Sequence, residues 1–322
     1  MSNNSLVSIA LCTYNGERFL KKQLDSILEQ TYSNFELIIV DDCSTDNTIN
    51  IINEYLKKDT RIKLYKNIKN LGFIKNFDKA ISLCNGEFIC LCDQDDIWNH
   101  SKIEILLNKI DNNVLIYSNA LLIDENDNSL NKTLVDDSKI VEGNNNRAFI
   151  LNNCVSGNTL MFKKELVKYI LPIPQYISLH DIWIAFVAST YGNIKYINDN
   201  LVQYRRYEDQ ITANKSKQKK EFVNRIDKKM KQKLKYSKKH LNNMNAFLSL
   251  EILKDKETIL ILQELKKHFE YYENIFYNKK LAQTLQKYKD DIFILVDNKK
   301  VNRDILKIST GMKFHKYTLF ST

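Results

Sequence analysis

No stretch of this 322-residue chain approaches the roughly 18 apolar residues of a membrane-spanning helix. The opening Met1-Ser2-Asn3-Asn4-Ser5 lacks the basic-then-apolar order of a secretory signal, so a cytoplasmic site of action is the expectation. Zinc-binding spacing is missing from the six cysteines, Cys12, Cys43, Cys84, Cys90, Cys92 and Cys154. Cys90 and Cys92 would share one face of a strand, a geometry unsuited to bridging each other, and buried reduced thiols are expected. No Gly-x-Gly-x-x-Gly follows the first apolar run and there is no Walker lysine, which disfavours nicotinamide cofactors and P-loop chemistry. No internal repeat is visible.

What is present is ordinary in bulk and uneven in charge. Hydrophobic residues at 43% and charged residues at 27% suit a soluble globular protein, and the length suggests about two domains. Residues 1–214 hold 22 Lys and Arg against 27 Asp and Glu, a net of −5; residues 215–322 hold 26 against 12, a net of +14. That split places a boundary near residue 214, between a domain at 1–214 and a basic region at 215–322.

From residue 6 to about 117, short apolar runs alternate with helical periodicity. Leu6–Leu11, Phe35–Val40, Ile62–Tyr65, 87–92 and Val114–Tyr117 read as strands. Between them Leu20, Leu24 and Ile27, then Ile49, Ile52 and Leu56, then Ile74, Phe77 and Ile81 recur at helix spacing. Such alternation predicts βαβ units, hence an α/β fold with a mostly parallel, Rossmann-like sheet flanked by helices. A hairpin turn is expected at Asn126-Asp127-Asn128, a strand at 158–162, a buried helix at 181–191 and a strand at 194–206.

Beyond residue 214 the chain reads as an α-helical extension. Phe222, Ile226, Met230 and Leu234 form a stripe continued by Leu241, Met244 and Leu248, opposite Lys219, Lys220, Lys228, Lys229, Lys231, Lys235, Lys238 and Lys239. Such a helix can lie as a peripheral partner on an anionic membrane. Equally, it can pack its stripe on the first domain and leave its lysines in water. It carries no aromatic-interleaved recognition motif, so nucleic acid is not an expected partner.

The most informative stretch is Phe88-Ile89-Cys90-Leu91-Cys92-Asp93-Gln94-Asp95-Asp96, an apolar run ending in three carboxylates. Open α/β sheets place ligand sites at the carboxyl ends of their strands. Hard oxygen ligands there can hold Mg²⁺ or Mn²⁺ against the phosphates of a nucleotide; the plainer reading is an acidic turn capping the next helix. Two further strand ends reach the same rim, Thr13-Tyr14-Asn15-Gly16-Glu17 and Asp41-Asp42-Cys43-Ser44-Thr45-Asp46. Asp42 could accept from a nucleobase or ribose, while Ser44 or Thr45 could cap a helix with Asp46 in its first turn.

These motifs resemble, in order over about residues 6–210, those of the family 2 glycosyltransferases. The match runs through Val7-Ser8-Ile9, Thr13–Glu17, Gln23-Leu24-Asp25-Ser26-Ile27, Gln30-Thr31-Tyr32, Asp41–Thr48, Asn70-Leu71-Gly72-Phe73 and Asp93-Gln94-Asp95-Asp96-Ile97-Trp98. The last of these, with His180-Asp181-Ile182-Trp183, is similar to the rhamnosyltransferase-like branch. The resemblance implies a GT-A fold and a nucleotide-diphosphate sugar donor, either dTDP-rhamnose or a UDP-hexose. It also implies Mn²⁺ or Mg²⁺, inversion at the anomeric carbon, and a growing surface polysaccharide or lipid-linked glycan as acceptor.

Carried over residue by residue, it implies that Thr13 and Asp42 contact the nucleoside, with Tyr14 and Asn15 shaping that pocket and Lys75 or Asn76 lining it. Asp93 and Asp95 match the metal and ribose motif, with Asp96 in support. Asp181 matches the catalytic base. It opens an apolar helix, where desolvation would raise its pKa, although capping that helix would also explain it. His180 either contacts the acceptor or is an ordinary buried imidazole; Trp183 is placed with it in support. Arg205 and Arg206 are implied as diphosphate partners, and Tyr207 stands where the related pattern has histidine. A contrasting reading is a non-catalytic scaffold that binds sugar nucleotides.

Overall fold

The computed structural model describes residues 4–136, 139–207 and 225–313, without the side chains of residues 225–230. The chain divides into two compact units. The first comprises Met1–Asn144, Cys154–Gln175 and Leu179–Ala213; the second comprises Asn145–Asn153, Tyr176–Ser178 and Asn214–Thr322. The expected boundary at 214, and Lys219, Lys220 and Phe222, lie outside the described residues.

The first unit runs β1 (Val7–Thr13), α1 (Leu20–Leu28), β2 (Phe35–Asp41), α2 (Thr48–Leu56), β3 (Ile62–Lys66), α3 (Phe73–Ser82) and β4 (Phe88–Cys92). It continues with β5 (Ile97–Trp98), α4 (Lys102–Lys109), β6 (Leu115–Ile123), β7 (Ser129–Thr133), β8 (Leu160–Lys163), α5 (Val167–Ile170), α6 (His180–Tyr191) and β9 (Ile194–Arg205). These strands form one sheet in the order β3-β2-β1-β4-β8-β6-β9-β5, with β7 paired to β6.

The sheet is parallel from β3 to β4, as the strand–helix alternation predicts. Past β4 it becomes mixed. β8 runs antiparallel to both β4 and β6, and β5 runs antiparallel to β9. The expectation of a mostly parallel sheet therefore holds for β3 to β4 and again for β6 with β9, and fails where β8 and β5 are inserted. The reason is that β8 enters from a long irregular connection, not from a βαβ crossover, so nothing forces it parallel, whereas β9, which follows α6, runs parallel to β6.

Burial explains the run-like character of the central strands. Every residue of β2 and β4 is buried, as expected where helices cover both faces. All six cysteines are free, with Cys84, Cys90 and Cys92 buried. Burial pushes the thiols of Cys84 and Cys90 up to about 12, so they act as small apolar residues.

In the second unit α7 (Arg225–Leu248) packs on α8 (Lys256–Glu270), followed by α9 (Lys279–Lys287), α10 (Lys289–Ile292) and α11 (Asn298–Ser309). Met244 and Phe247 of α7 are buried, whereas Leu234 stands exposed among Lys231, Lys235, Lys238 and Lys239. Arg147, from the segment 145–153, ties the helices together through ion pairs with Asp255, Glu257 and Asp291, each at 2.8 Å. No described helix is long and apolar enough to cross a membrane.

Candidate active site

Parallel pairing of β1 with β2 and β4 brings the three expected strand ends to one rim. The first two loops are laced together by their own motif residues. Asn15 N–H donates to Ser44 Oγ at 2.9 Å, Gly16 N–H to Thr48 Oγ1 at 2.8 Å and Glu17 N–H to Asp46 Oδ2 at 3.0 Å. In return, Thr45 N–H donates to Asn15 Oδ1 at 2.9 Å and Asn47 N–H to Glu17 Oε2 at 2.8 Å. Neither Ser44 nor Thr45 caps α2, which starts after Asn47; Asp46 instead accepts from Thr48 N–H at 3.0 Å.

Several residues expected on the nucleoside are engaged in building this frame. Thr13 is buried and its hydroxyl donates to Asp41 Oδ1 at 2.8 Å. Asp42 Oδ1 accepts from Asn67 Nδ2 and Leu71 N–H, and its Oδ2 from Gly72 N–H, each at 2.8 Å. Asn76 is buried too, donating to the Val40 carbonyl at 2.8 Å and accepting from Asn67 at 2.9 Å. Asp42 and Asn76 thus pin the 67–72 loop, and Gly72 supplies the positive φ of 83° with which that loop enters α3. Tyr14 and Lys75 remain exposed.

The acidic turn after β4 is the electrostatic centre. Asp93 is pushed well above the ordinary carboxylate range, first by burial and then by the charges of Asp96, Asp95 and Asp181. Asp181 thus lies within electrostatic reach of Asp93, although it is 88 residues further along the chain. Asp181 opens α6, and its Oδ1 accepts from Ile182 N–H at 2.6 Å.

Asp96 is fully buried, accepting from Asn158 Nδ2 and, at 3.0 Å, from Arg205 N–H. Burial and Asp95 raise its carboxyl, while those two hydrogen bonds and Lys102 oppose the rise. Lys102 itself is fully buried. Its Nζ donates to the Asn158 carbonyl at 2.6 Å and sits 3.4 Å from the Trp98 ring centroid. Burial pulls that ammonium down to about 8.

The geometry departs from the expected role of Arg205 and takes His180 to the second of its two expected readings. Arg205 does not reach out to a phosphate: its guanidinium is fully buried, donating to the Asp95 carbonyl at 2.7 Å and the Asp124 carbonyl at 3.0 Å. It is spent on holding the acidic turn against the β6–β7 hairpin. His180 stacks on Phe77 with centroids 4.1 Å apart, and neither ring nitrogen has a hydrogen-bond partner among the described residues. Burial lowers it to about 3, which makes it a neutral packing group rather than an acceptor contact. Trp183 is buried, with Nε1 donating to the Ile170 carbonyl at 2.8 Å. Arg206 keeps partial exposure, its guanidinium 4.4 Å from the Tyr204 ring centroid.

Four participants had no role assigned beforehand: Lys102, Asn158, Gln94 and Asp41, the last two standing inside the quoted motifs. Asp41 had a signal, being the neighbour of Asp42; the others join through contacts distant in sequence. The chemistry of Asp93 and Asp95 fits a divalent cation, because hard carboxylate oxygens in a turn where Asp93 is raised by its acidic neighbours form a site short of positive charge. Among the described residues no group of three or more His, Cys, Asp or Glu side chains is placed so that it could hold a metal ion by itself. Asp95 and Asp93 would hold such an ion with phosphate oxygens completing its shell.

The sequence model described as glycosyl transferase family 2 matches residues 8–170. The UDP-Glc:alpha-D-GlcNAc-diphosphoundecaprenol beta-1,3-glucosyltransferase WfgD of Escherichia coli is 32% identical over 219 residues, covering 66% of this chain and 82% of that protein. The dTDP-rhamnosyl transferase RfbG of Shigella flexneri is 34% identical over 222 residues, covering 63% and 74%. An uncharacterized glycosyltransferase of Haemophilus influenzae is 38% identical over 113 residues, which span 35% of its own length. The crystal structure of Staphylococcus aureus TarS 1–349 in complex with UDP superposes at a TM-score of 0.57 and 18% identity. It covers 97% of this chain and 91% of that one, a likeness of fold that makes this a GT-A-type architecture.

Proposed function

This chain belongs to glycosyl transferase family 2, and from that premise we propose that it moves a sugar from a nucleoside-diphosphate donor to a hydroxyl, inverting the anomeric carbon. The observation that carries the reading is that the charge of Asp181 reaches Asp93, in the same turn as Asp95 and Asp96. Breaking a sugar–phosphate bond builds negative charge on the departing diphosphate. Bound at Asp95 and Asp93, Mn²⁺ or Mg²⁺ would neutralise that charge. Asp181 accepts the proton of the incoming hydroxyl, a contribution of about 10²–10⁴-fold. The exposed Tyr14 ring receives the nucleoside, inside a frame held by Thr13, Asn15, Asp42 and Asn76. Lys75 and Arg206 are the proposed cations toward the donor.

The E. coli and Shigella relatives, a UDP-glucose-dependent and a dTDP-rhamnosyl transferase by name, support UDP-glucose-like and dTDP-rhamnose donors. The first also supports a lipid-linked glycan as acceptor, and a growing surface polysaccharide is the proposed product. On this reading the basic face of α7, with Lys231, Lys235, Lys238 and Lys239 around Leu234 and Tyr236, rests on the anionic inner face of the cytoplasmic membrane, where that acceptor is anchored. A thermal-shift panel of nucleotide sugars with and without Mn²⁺ tests the proposal. Ligands that bind only the folded state raise its melting temperature. A metal-dependent rise with dTDP-rhamnose or a UDP-hexose is expected; no rise with any donor would overturn it.

A further inference from the structure

We propose that Gln94 is a positioning residue that locks the nucleoside-binding loop to the acidic turn, so that base and phosphate halves of the donor are held at a fixed separation. This rests on the donor-site reading above and adds a role to a residue between two carboxylates that itself carries no charge.

The last paired residues of β1 and β4 are Leu11 and Cys92; beyond them the two backbones are no longer ladder partners. Gln94 bridges the gap with its side chain. Tyr14 N–H donates to Gln94 Oε1 at 2.8 Å, and Gln94 Nε2 donates to the Tyr14 carbonyl at 3.0 Å. One primary amide thus satisfies both backbone groups of Tyr14, as a neighbouring strand would. The chemistry is selective, because a donor and an acceptor must stand side by side at that reach. Glutamate would turn an acceptor toward the Tyr14 carbonyl, methionine offers neither group, and asparagine is one methylene short.

A second observation points the same way. The Gln94 amide lies flat against Gly16, where an added Cβ would fall 2.3 Å from Oε1 and 2.5 Å from Cδ. Any side chain at position 16 evicts Gln94. What the lock holds is Tyr14, whose ring is 47% exposed and makes no hydrogen bond or ring contact among the described residues. An exposed aromatic fixed only through its backbone suits stacking against a planar base. Asp93 and Asp95 flank Gln94 directly, so a shift of the latch moves Tyr14 relative to both.

The experiment uses the full chain with Gln94→Met, Gly16→Ala and the double variant. Hydrogen exchange in the ligand-free proteins should show faster exchange of the Tyr14 amide in all three, with melting temperatures within about 5 °C of the parent. Calorimetric titration with UDP and dTDP in Mn²⁺, and with uridine and thymidine alone, gives the second readout. Each single variant should weaken free nucleoside and diphosphate alike, by about tenfold for two lost neutral hydrogen bonds. The double variant should be no worse than the weaker single, since both break one contact. Unchanged exchange at Tyr14, unchanged nucleoside affinity, or a double variant near the product of the singles would each overturn the proposal. A parent protein that binds neither nucleotide removes the donor-site reading itself, and this role with it.

Discussion

The phenol of Tyr207 donates to Asp95 Oδ2 at 2.8 Å, from a ring that packs on Phe19 with centroids 5.1 Å apart. Burial and the charge of Asp95 push that phenol well above its ordinary pKa, so it stays a donor at any working pH. Where the related pattern has histidine, this chain therefore puts a neutral hydroxyl on the carboxylate proposed to hold the metal. Donation from Tyr207 fixes the rotamer of Asp95 but competes for an oxygen that a cation would use.

Tyr207→Phe should accordingly lower the stability of the metal-free protein by about 1–2 kcal/mol, because Asp95 is 9% exposed and loses a partner. The same change should tighten Mn²⁺ binding severalfold. Calorimetry with Mn²⁺ alone and urea unfolding check both; weaker Mn²⁺ binding would mean the phenol assists the cation instead.

Asp42→Asn separates a frame residue from a base contact. The carboxylate accepts from Asn67, Leu71 N–H and Gly72 N–H. An amide there turns its NH₂ toward donors and leaves a buried N–H unmatched, at about 2 kcal/mol. The loss should appear in urea unfolding without any nucleotide. A variant as stable as the parent, but weaker for UDP or dTDP, would make Asp42 a direct ligand contact.

His180 sets an acid limb of stability. Its folded pKa of about 3 lies below the unfolded value near 6.5, so the unfolded chain binds the extra proton between them. Stability is complete above about pH 6.5 and falls as pH drops toward 3, at about 1.4 kcal/mol per pH unit. His180→Phe, stacking on Phe77 in its place, should keep transfer activity and lose about 2 kcal/mol less than the parent between pH 7 and pH 5. Parallel unfolding curves for the two proteins would contradict the neutral packing role.

The legible part of this molecule was the part written locally. Apolar runs such as Phe35–Val40 and the helix spacing of Leu20, Leu24 and Ile27 marked elements correctly, and parallel pairing then carried three polar strand ends to one rim. What stayed hidden was direction and partnership. Arg205 ends β9 and is expected on a diphosphate, yet the groups that draw it inward are the carbonyls of Asp95 and Asp124 and the carboxylate of Asp127, the last two in a distant hairpin. Lys102 opens an amphipathic helix like many surface lysines; the approach of Asn158, 56 residues on, with the Trp98 ring and the charge of Asp96, makes its burial tolerable. Likewise the antiparallel entry of β8 depends on register across the sheet, which no local period encodes.

The central claim, a carboxylate turn that holds the leaving diphosphate while a separate carboxylate deprotonates the acceptor, is tested most directly by comparing Asp95→Asn with Asp181→Asn. Donor affinity in Mn²⁺ and sugar transfer to a lipid-linked acceptor fraction are measured for both. Asp95→Asn should lose metal-dependent donor binding, whereas Asp181→Asn should bind donor within about twofold of the parent and transfer at least about a hundredfold more slowly. Transfer at parental rate by Asp181→Asn, or Mn²⁺-dependent donor binding that survives in Asp95→Asn, would contradict it.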